Sequence, residues 1–136
     1  MTGPHQALDP PSLPKPSGYS HVVVARPGRT VYLAGQTAQG KDGRIEGAPL
    51  VEQFDVAAAN ALTALRAAGA RPEHLVSMQI FTTDLQQYRS SLEQIGQVYR
   101  NHFGRHYPAI SLFEVSSLFD RGANIEIVCV AVIPDT

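Results

Sequence analysis

Residues 124–133 read NIEIVCVAVI, and this stretch near the end of the chain decides the fold class. Successive side chains of a β-strand point to opposite faces of a sheet, so the stretch divides into two rows. One row is entirely apolar and consists of Ile125, Ile127, Cys129, Ala131 and Ile133. The other row is apolar apart from one carboxylate and consists of Glu126, Val128, Val130 and Val132. A strand that is apolar on both faces is expected to be buried on both faces.

The chain before this stretch predicts four more strands. Runs rich in β-branched residues at 21–25 and 30–34 favour extended structure. Pro27-Gly28 between them suits the two central positions of a type II turn, so we expect a hairpin. The other two strands are expected at residues 74–83 and 109–118.

Two stretches have the three- and four-residue spacing of an amphipathic helix. The first stripe consists of Val51, Phe54, Ala58, Leu62 and Leu65, and Gly69 is expected to end that helix. The second stripe consists of Leu85, Tyr88, Leu92, Ile95 and Tyr99. Asp84 is a candidate N-cap for this second helix, which is expected to end near Phe103-Gly104. Both stripes are interpreted as core.

The resulting order, ββαβαββ, predicts an α+β domain with two helices on one face of a mixed sheet. Two helices can cover only one face of that sheet, while the final strand is apolar on both. The second face is then covered either by another copy of the chain, which would make the protein an oligomer, or by the N-terminal tail and the long loops.

Five of the ten prolines fall within the first 16 residues. Proline fixes φ and pushes the preceding residue towards extended geometry. We therefore expect residues 1–17 to form a Pro-rich extended tail, ordered only along a surface, and residues 18–136 to form a single domain.

Composition excludes several classes of protein. Eleven basic and 12 acidic residues among 136 give a net charge of −1, which does not suit binding to nucleic acid. The one cysteine, Cys129, allows no internal disulfide and fits a reducing compartment. No apolar run approaches the roughly 20 residues that span a bilayer, and no signal peptide is visible. We expect a cytoplasmic protein that binds neither nucleic acid nor membrane.

Glu126 is the exception in the valine row of the last strand. An unpaired carboxylate in an apolar layer is costly. The residue is therefore expected to lie at the mouth of a cleft, to pair with a cation, or to be retained for general acid/base chemistry, since partial burial raises the proton affinity of a carboxylate. The alternative is a glutamate at a strand end that reaches solvent.

Other candidate residues are weaker. His102 and His106 are four residues apart, but Gly104 interrupts the helix between them, so no metal site is predicted. Arg100, Arg105 and His106 form either a solvated helix end or a relocated anion anchor supplied across a subunit interface. His21 is interpreted as a hydrogen-bonded surface residue or a group that polarises a substrate. Cys129 is expected to be an inert core residue, and no cofactor motif is present.

Several segments together resemble one family, the Rid superfamily, also called the YjgF or UK114 family. They are Gly18-Tyr19-Ser20-His21, Leu33-Ala34-Gly35-Gln36, the alanine-rich helix after Gln53, residues 107–118, and Asn124-Ile125-Glu126-Ile127. The resemblance extends from about residue 18 to residue 133 and implies a chorismate-mutase-like fold. It also implies a homotrimer with clefts between its subunits. The best-known members hydrolyse imines or enamines of amino acids to 2-keto acids and ammonia, and some members carry the name endoribonuclease.

Individual positions of the resemblance make this chain a divergent member. Where those imine hydrolases have an arginine that clamps the substrate carboxylate, this sequence has Ile110, and where they usually have serine it has Ala34. Four positions match the family's cleft. Glu126 matches a glutamate near the catalytic water, Gly35 a glycine whose backbone lines the cleft, Tyr19 an aromatic at its mouth, and Leu112 a residue whose carbonyl orients water.

The resemblance leaves two functions open. In the first, the cleft hydrolyses or otherwise processes an imine, an enamine or a related carbonyl compound that carries no carboxylate at the position of the missing arginine. In the second, the same cleft only binds a ligand, and the protein is a sensor, a chaperone-like protein or an accessory subunit. Retention of Glu126 in an apolar row favours the enzyme.

Overall fold

A computed structural model describes residues 3–136 and confirms an α+β fold with the expected element order, plus one additional strand. The strands are β1 (Gln6–Leu8), β2 (Val22–Val24), β3 (Gly28–Tyr32), β4 (Leu75–Thr82), β5 (Ala109–Glu114) and β6 (Ile125–Pro134). The helices are α1 (Leu50–Ala67), α2 (Leu85–Ser90) and α3 (Leu92–Phe103), with a 3-10 turn at Pro72–His74. No helix in this part of the chain combines the length and the apolar character needed to cross a membrane.

The main sheet has four strands in the order β3-β6-β4-β5. β6 pairs antiparallel with both β3 and β4, while β4 and β5 are parallel, so the sheet is mixed as expected. The central position of β6 agrees with the two apolar rows of its sequence. β1 and β2 form a separate two-stranded antiparallel sheet.

One face of the main sheet holds the core. Ile125, Ile127, Cys129 and Ala131 point towards the helices and are at most 1% exposed. Phe54 and Leu65 of α1 belong to the same buried cluster. Burying an aliphatic or aromatic side chain of this size contributes about 1.5–3 kcal/mol, so this layer supplies much of the driving force for folding.

The opposite face is covered at one end only, and we call it the open face. Val128 and Val130 of β6 are half-buried there, and Tyr32 of β3 is 80% exposed. The N-terminal segment closes the end near Val132, where the buried His5 ring bonds to the Val132 carbonyl at 2.8 Å. The tail thus supplies part of the cover that the sequence requires, and most of the valine row remains accessible in a single chain.

The prediction of a hairpin between residues 21–25 and 30–34 is wrong, because these two strands do not pair with each other. β2 pairs with β1, which lies within the segment expected to be an extended tail, and β3 pairs with β6. Gly28 has no positive φ, as a type II turn would require of it, and instead lies opposite Pro134. A Cβ atom there would be 2.1 Å from the Ile133 carbonyl oxygen, so the glycine permits close backbone approach rather than a turn.

The second helix is interrupted. Asp84 is its N-cap, as expected, and its carboxylate accepts a hydrogen bond from the Gln87 amide at 3.0 Å. The chain leaves helical geometry at Ser91, and α3 then continues to Phe103, with Gly104 at φ 68°. The break turns Leu92 outwards to 57% exposure, so its assignment to the core is wrong. β5 also ends at Glu114, earlier than expected.

Candidate functional site

The six candidate site residues fall on two different sides of the main sheet. Paired residues of neighbouring strands share a face, and Ile110 is paired through Met78 with Cys129 on the helix-covered face. Leu112 lies on that face too, in the row of Ile127. Glu126 is paired with Phe81 and belongs to the open face. A single chain therefore does not bring all of the candidates together.

Ala34, Gly35 and Glu126 form the first group. The bridge between Gln36 and Ile127 fixes their positions, with backbone N–H···O distances of 2.8 and 2.9 Å. A Cβ atom at Gly35 would lie 2.8 Å from the carboxyl carbon of Glu126. A side chain at this position would displace the Glu126 carboxylate, so the glycine permits the close approach, and both Ala34 and Gly35 are exposed.

The Glu126 carboxylate is half-buried and makes no hydrogen bond or ion pair with any residue in the described part of the chain. Its nearest cross-strand neighbour on the open face is Phe81, which stacks on Phe113 at 5.4 Å between ring centroids. The carboxylate thus stands beside an aromatic surface with its proton-accepting oxygens unoccupied. No cation of residues 3–136 pairs with it. Three interpretations therefore remain: Glu126 lies at the mouth of a cleft, it is retained for acid/base chemistry, or it reaches solvent.

Tyr19, Ile110 and Leu112 form the second group and line one cavity of about 660 Å³. We call it the aromatic cavity; it lies between β5 and the helices α2 and α3. A cavity of this size with mostly apolar walls is within the range of small-molecule sites.

The polar side chains among the residues that line the aromatic cavity are those of four tyrosines, one serine and one arginine. Tyr88 is only 6% exposed, yet its hydroxyl has no hydrogen-bond partner among residues 3–136. Burial raises the pKa of Tyr88 to about 12, so the group stays a neutral donor at physiological pH. Tyr99, by contrast, donates to the His106 carbonyl at 2.7 Å and serves the fold. The free hydroxyl of Tyr88 is therefore available to a ligand.

Arg100 also lines the aromatic cavity, on the α3 side. Its guanidinium lies over Gly96, where a Cβ atom would be 3.2 Å from Nη1, and its contact with Gln97 Oε1 is long at 3.5 Å. No aspartate or glutamate lines the cavity. Arg100 thus carries a positive charge to the wall of an apolar cavity without a carboxylate partner in the described part of the chain.

The basic patch expected from Arg100, Arg105 and His106 is divided by the structure. Arg105 is exposed and lies with His106 at a different concavity, beside Glu73. The buried His106 ring bonds to the Leu75 carbonyl at 2.9 Å and so holds β4. Among the three expected cations, only Arg100 faces the group of site residues that contains Ile110.

The remaining candidates have structural partners. His21 Nε2 bonds to the Pro14 carbonyl at 2.7 Å, and His102 Nε2 contacts Asp55 at 2.6 Å. Cys129 is 1% exposed, and burial raises the pKa of its thiol to about 12, as befits the inert core residue that was expected. Within residues 3–136, no three His, Cys, Asp or Glu side chains are grouped to hold a metal ion.

The sequence did not predict that α2 and α3 form one wall of the aromatic cavity. Tyr88 and Tyr99 were interpreted as core, and they are buried, but they also line the aromatic cavity. A signal was available in Gly96, a residue that weakens a helix and leaves room beside it. The missing side chain of this glycine lets the Arg100 guanidinium lie against the helix at the cavity wall.

Fold and cavity together define a small α+β protein of the chorismate-mutase-like type with surfaces suited to a small molecule. The family model described as Endoribonuclease L-PSP matches residues 12–133, and the chain belongs to this family, which is the Rid superfamily that the sequence resembles.

Similar proteins cover nearly the same length. A solved structure from Yersinia pestis, a protein of unknown function of the conserved Rid family called YyfB, has a TM-score of 0.83 and 29% identity. The match covers 95% of this chain and 98% of that one. RutC family protein UK114 of Drosophila melanogaster is 32% identical over 83% of this chain and 78% of its own length. Human 2-iminobutanoate/2-iminopropanoate deaminase is 26% identical over 84% of this chain and 79% of its own.

Proposed function

We propose that this protein hydrolyses a small imine or enamine to a carbonyl compound and ammonia, with Glu126 as the general acid/base. The observation that carries the proposal is the Glu126 carboxylate, which stands half-buried and unpaired beside the backbone of Gly35. The similarity to the human 2-iminobutanoate/2-iminopropanoate deaminase supports the same class of reaction.

In the proposed reaction, Glu126 accepts a proton from a water molecule as that water attacks the electrophilic carbon of the imine. Glu126 passes this proton to the nitrogen, and a neutral tetrahedral carbinolamine forms. Glu126 then accepts the proton of the carbinolamine hydroxyl and donates it to the nitrogen, so that the carbon–nitrogen bond breaks and ammonia leaves as the carbonyl forms. Such proton transfer by a positioned side chain contributes about 10²–10⁴-fold to the rate. The Leu112 carbonyl is proposed to orient the water.

We infer that the cleft lies between subunits of a homotrimer. The residues of the two groups, with Glu126 on one face and Ile110 on the other, cannot meet within one chain, but a second copy can place one group against the other. The accessible apolar row of Val128 and Val130, beside Tyr32, gives a second copy a surface to bury. These observations support self-association; the number of copies comes from the resemblance.

The substrate is proposed to differ from the usual 2-imino acids. Ile110 offers neither charge nor donor where the resemblance places the carboxylate-clamping arginine. Truncating one partner of a desolvated charge pair costs about 2–5 kcal/mol, which is about thirtyfold to a few thousandfold in affinity. We therefore expect weak activity on 2-imino acids and better activity on an imine without a carboxylate at that point.

The test is a comparison of the wild type with Glu126→Gln, incubated with 2-aminoacrylate and with small acyclic imines that carry an N–H group, while ammonia release is followed. Glutamine keeps the shape and removes the proton transfer, so turnover should fall about 10²–10⁴-fold. Thermal stability and assembly should be unchanged. Equal turnover by a folded Glu126→Gln protein would contradict the catalytic role.

The second candidate function is ligand binding without turnover. It is favoured by the free Tyr88 hydroxyl and the aromatic cavity, which suit binding and lie on the face away from Glu126. Saturable ligand binding by the wild type with no ammonia release from any imine would favour this function over the enzyme.

A further inference from the structure

The side chains that line the aromatic cavity determine which kind of ligand it can bind. Its walls are apolar and aromatic, including Ile80, Ile95 and Tyr107. The groups that can bind a polar ligand atom are hydroxyls and one guanidinium, and no carboxylate is among them. An apolar cavity with a positive charge and neutral donors at its wall selects an anion or a carbonyl oxygen over a cation.

Two of these groups are unsatisfied in the folded chain. Tyr88 is a polar side chain that is more than nine-tenths buried, and its hydroxyl is left without a partner beside the cavity. Arg100 has only the long contact of 3.5 Å with Gln97 and no acidic partner in residues 3–136. Arg100 is only half-buried and the Tyr88 hydroxyl is not sealed from the cavity, so both groups are open to a polar atom of a ligand there.

We propose that the aromatic cavity binds a monocarboxylate with an aromatic or branched apolar body, whose carboxylate is held by Arg100 and Tyr88. Both side chains come from the α2–α3 wall, whereas Ile110 comes from β5. The carboxylate is therefore anchored on the helix wall, and the apolar body lies against Ile110 and Leu112. An α-imino acid, whose carboxylate adjoins the reactive carbon, does not have this shape.

The proposed carboxylate site and the proposed cleft both include Ile110 and Leu112. The carboxylate site rests on the proposed function in one respect, because it takes the aromatic cavity to be part of the substrate's site. It adds that the anionic group of the ligand is separated from the reacting end by an apolar body. Binding is measured without turnover, so failure of this inference and failure of the proposed hydrolysis are distinguishable.

The experiment is isothermal titration calorimetry of the full chain with 3-phenylpropanoate and with its uncharged amide. The wild type should bind the carboxylate at least tenfold more tightly than the amide. Arg100→Gln should lower the affinity for the carboxylate by about tenfold to a hundredfold, because a hydrogen bond to a charged group is lost. Tyr88→Phe, which keeps the ring, should lower it by a smaller factor.

Arg105→Gln is the matched control, because Arg105 is an exposed arginine beyond the end of the same helix and faces a different concavity. It should bind 3-phenylpropanoate as the wild type does. Equal affinity for the carboxylate and the amide would overturn the proposal. So would equal affinity of Arg100→Gln and Arg105→Gln, or no binding of 3-phenylpropanoate by the wild type at millimolar concentration. A thermal melt of each variant verifies that it is folded.

Discussion

At the scale of single residues, Ile110 is the position where a change of substrate class can be tested directly. Its side chain lines the aromatic cavity from β5. We expect Ile110→Arg to raise kcat/KM for 2-imino acids about tenfold or more above the wild type, because a guanidinium binds a carboxylate through two hydrogen bonds. Ammonia release from 2-aminoacrylate measures the change.

The control for this variant is Ile110→Met, which introduces a long side chain without charge. It should leave activity on 2-imino acids low. If Ile110→Arg is folded and no more active than Ile110→Met, the cavity has diverged from the imine hydrolases at more than this position.

The sequence named residues of both groups, Glu126 and Gly35 on the open face and Ile110 and Leu112 at the cavity. Glu126 and Gly35 could be found because strand alternation isolates a single carboxylate and the resemblance includes the glycine. Tyr88 could not be assigned in the same way, and Arg100 was named only within a basic patch that the structure divides. A tyrosine in an apolar stripe looks like core, and the helix break at Ser91, which sets how α2 and α3 line the cavity, has no clear sequence signal.

At the scale of elements, Gly28 could serve either a turn or the close approach of two strands. A glycine after a proline suits a turn, but here it is the first residue of β3 and lies against the Ile133 carbonyl. We expect Gly28→Ala to lower the free energy of unfolding by about 1–3 kcal/mol, because the backbone of β6 must move to admit the Cβ atom. Chemical denaturation at a fixed protein concentration measures the difference.

Gly47→Ala is the matched control for this change. Gly47 is exposed, has no positive φ, and has no atom within 4 Å of an added Cβ. Its substitution should be neutral, or stabilise slightly by restricting the unfolded chain. Equal stability of the two variants would show that β3 and β6 can separate without cost.

Elements whose ends and apolar face are determined by neighbouring residues in the sequence were predicted correctly. α1 follows from its apolar spacing and ends in Gly69 at φ 78°, and α2 begins at the Asp84 cap. β1 could not be predicted, because its three residues lie among prolines and are held by pairing with β2. Pairing partners distant in sequence are set by tertiary packing, which is why the hairpin was misassigned while the strands themselves were found.

At the scale of the whole molecule, the two faces of the main sheet are covered to different extents within one chain. The helices bury the β6 row of one face, and the N-terminal segment closes one end of the other face through His5. The remaining apolar row of β6, with Phe81 and Phe113 beside it, stays accessible in a single chain. Exposed contiguous apolar surface of this kind marks an interaction site.

We therefore expect the wild type to sediment at micromolar concentration as a trimer, with three times the chain mass of 14.7 kDa. Val130→Glu places a charge in the centre of the open face and should dissociate the trimer into folded monomers, because burying an unpaired carboxylate is costly.

Val56→Glu is the control, since Val56 is 41% exposed on α1, on the helix side of the sheet, and its substitution should leave the mass unchanged. If the open face is instead complete in one chain, the wild type will sediment as a monomer. Loss of imine hydrolysis in Val130→Glu together with the trimer, while Val56→Glu keeps both, would further indicate that Glu126 and the aromatic cavity of different copies form one cleft.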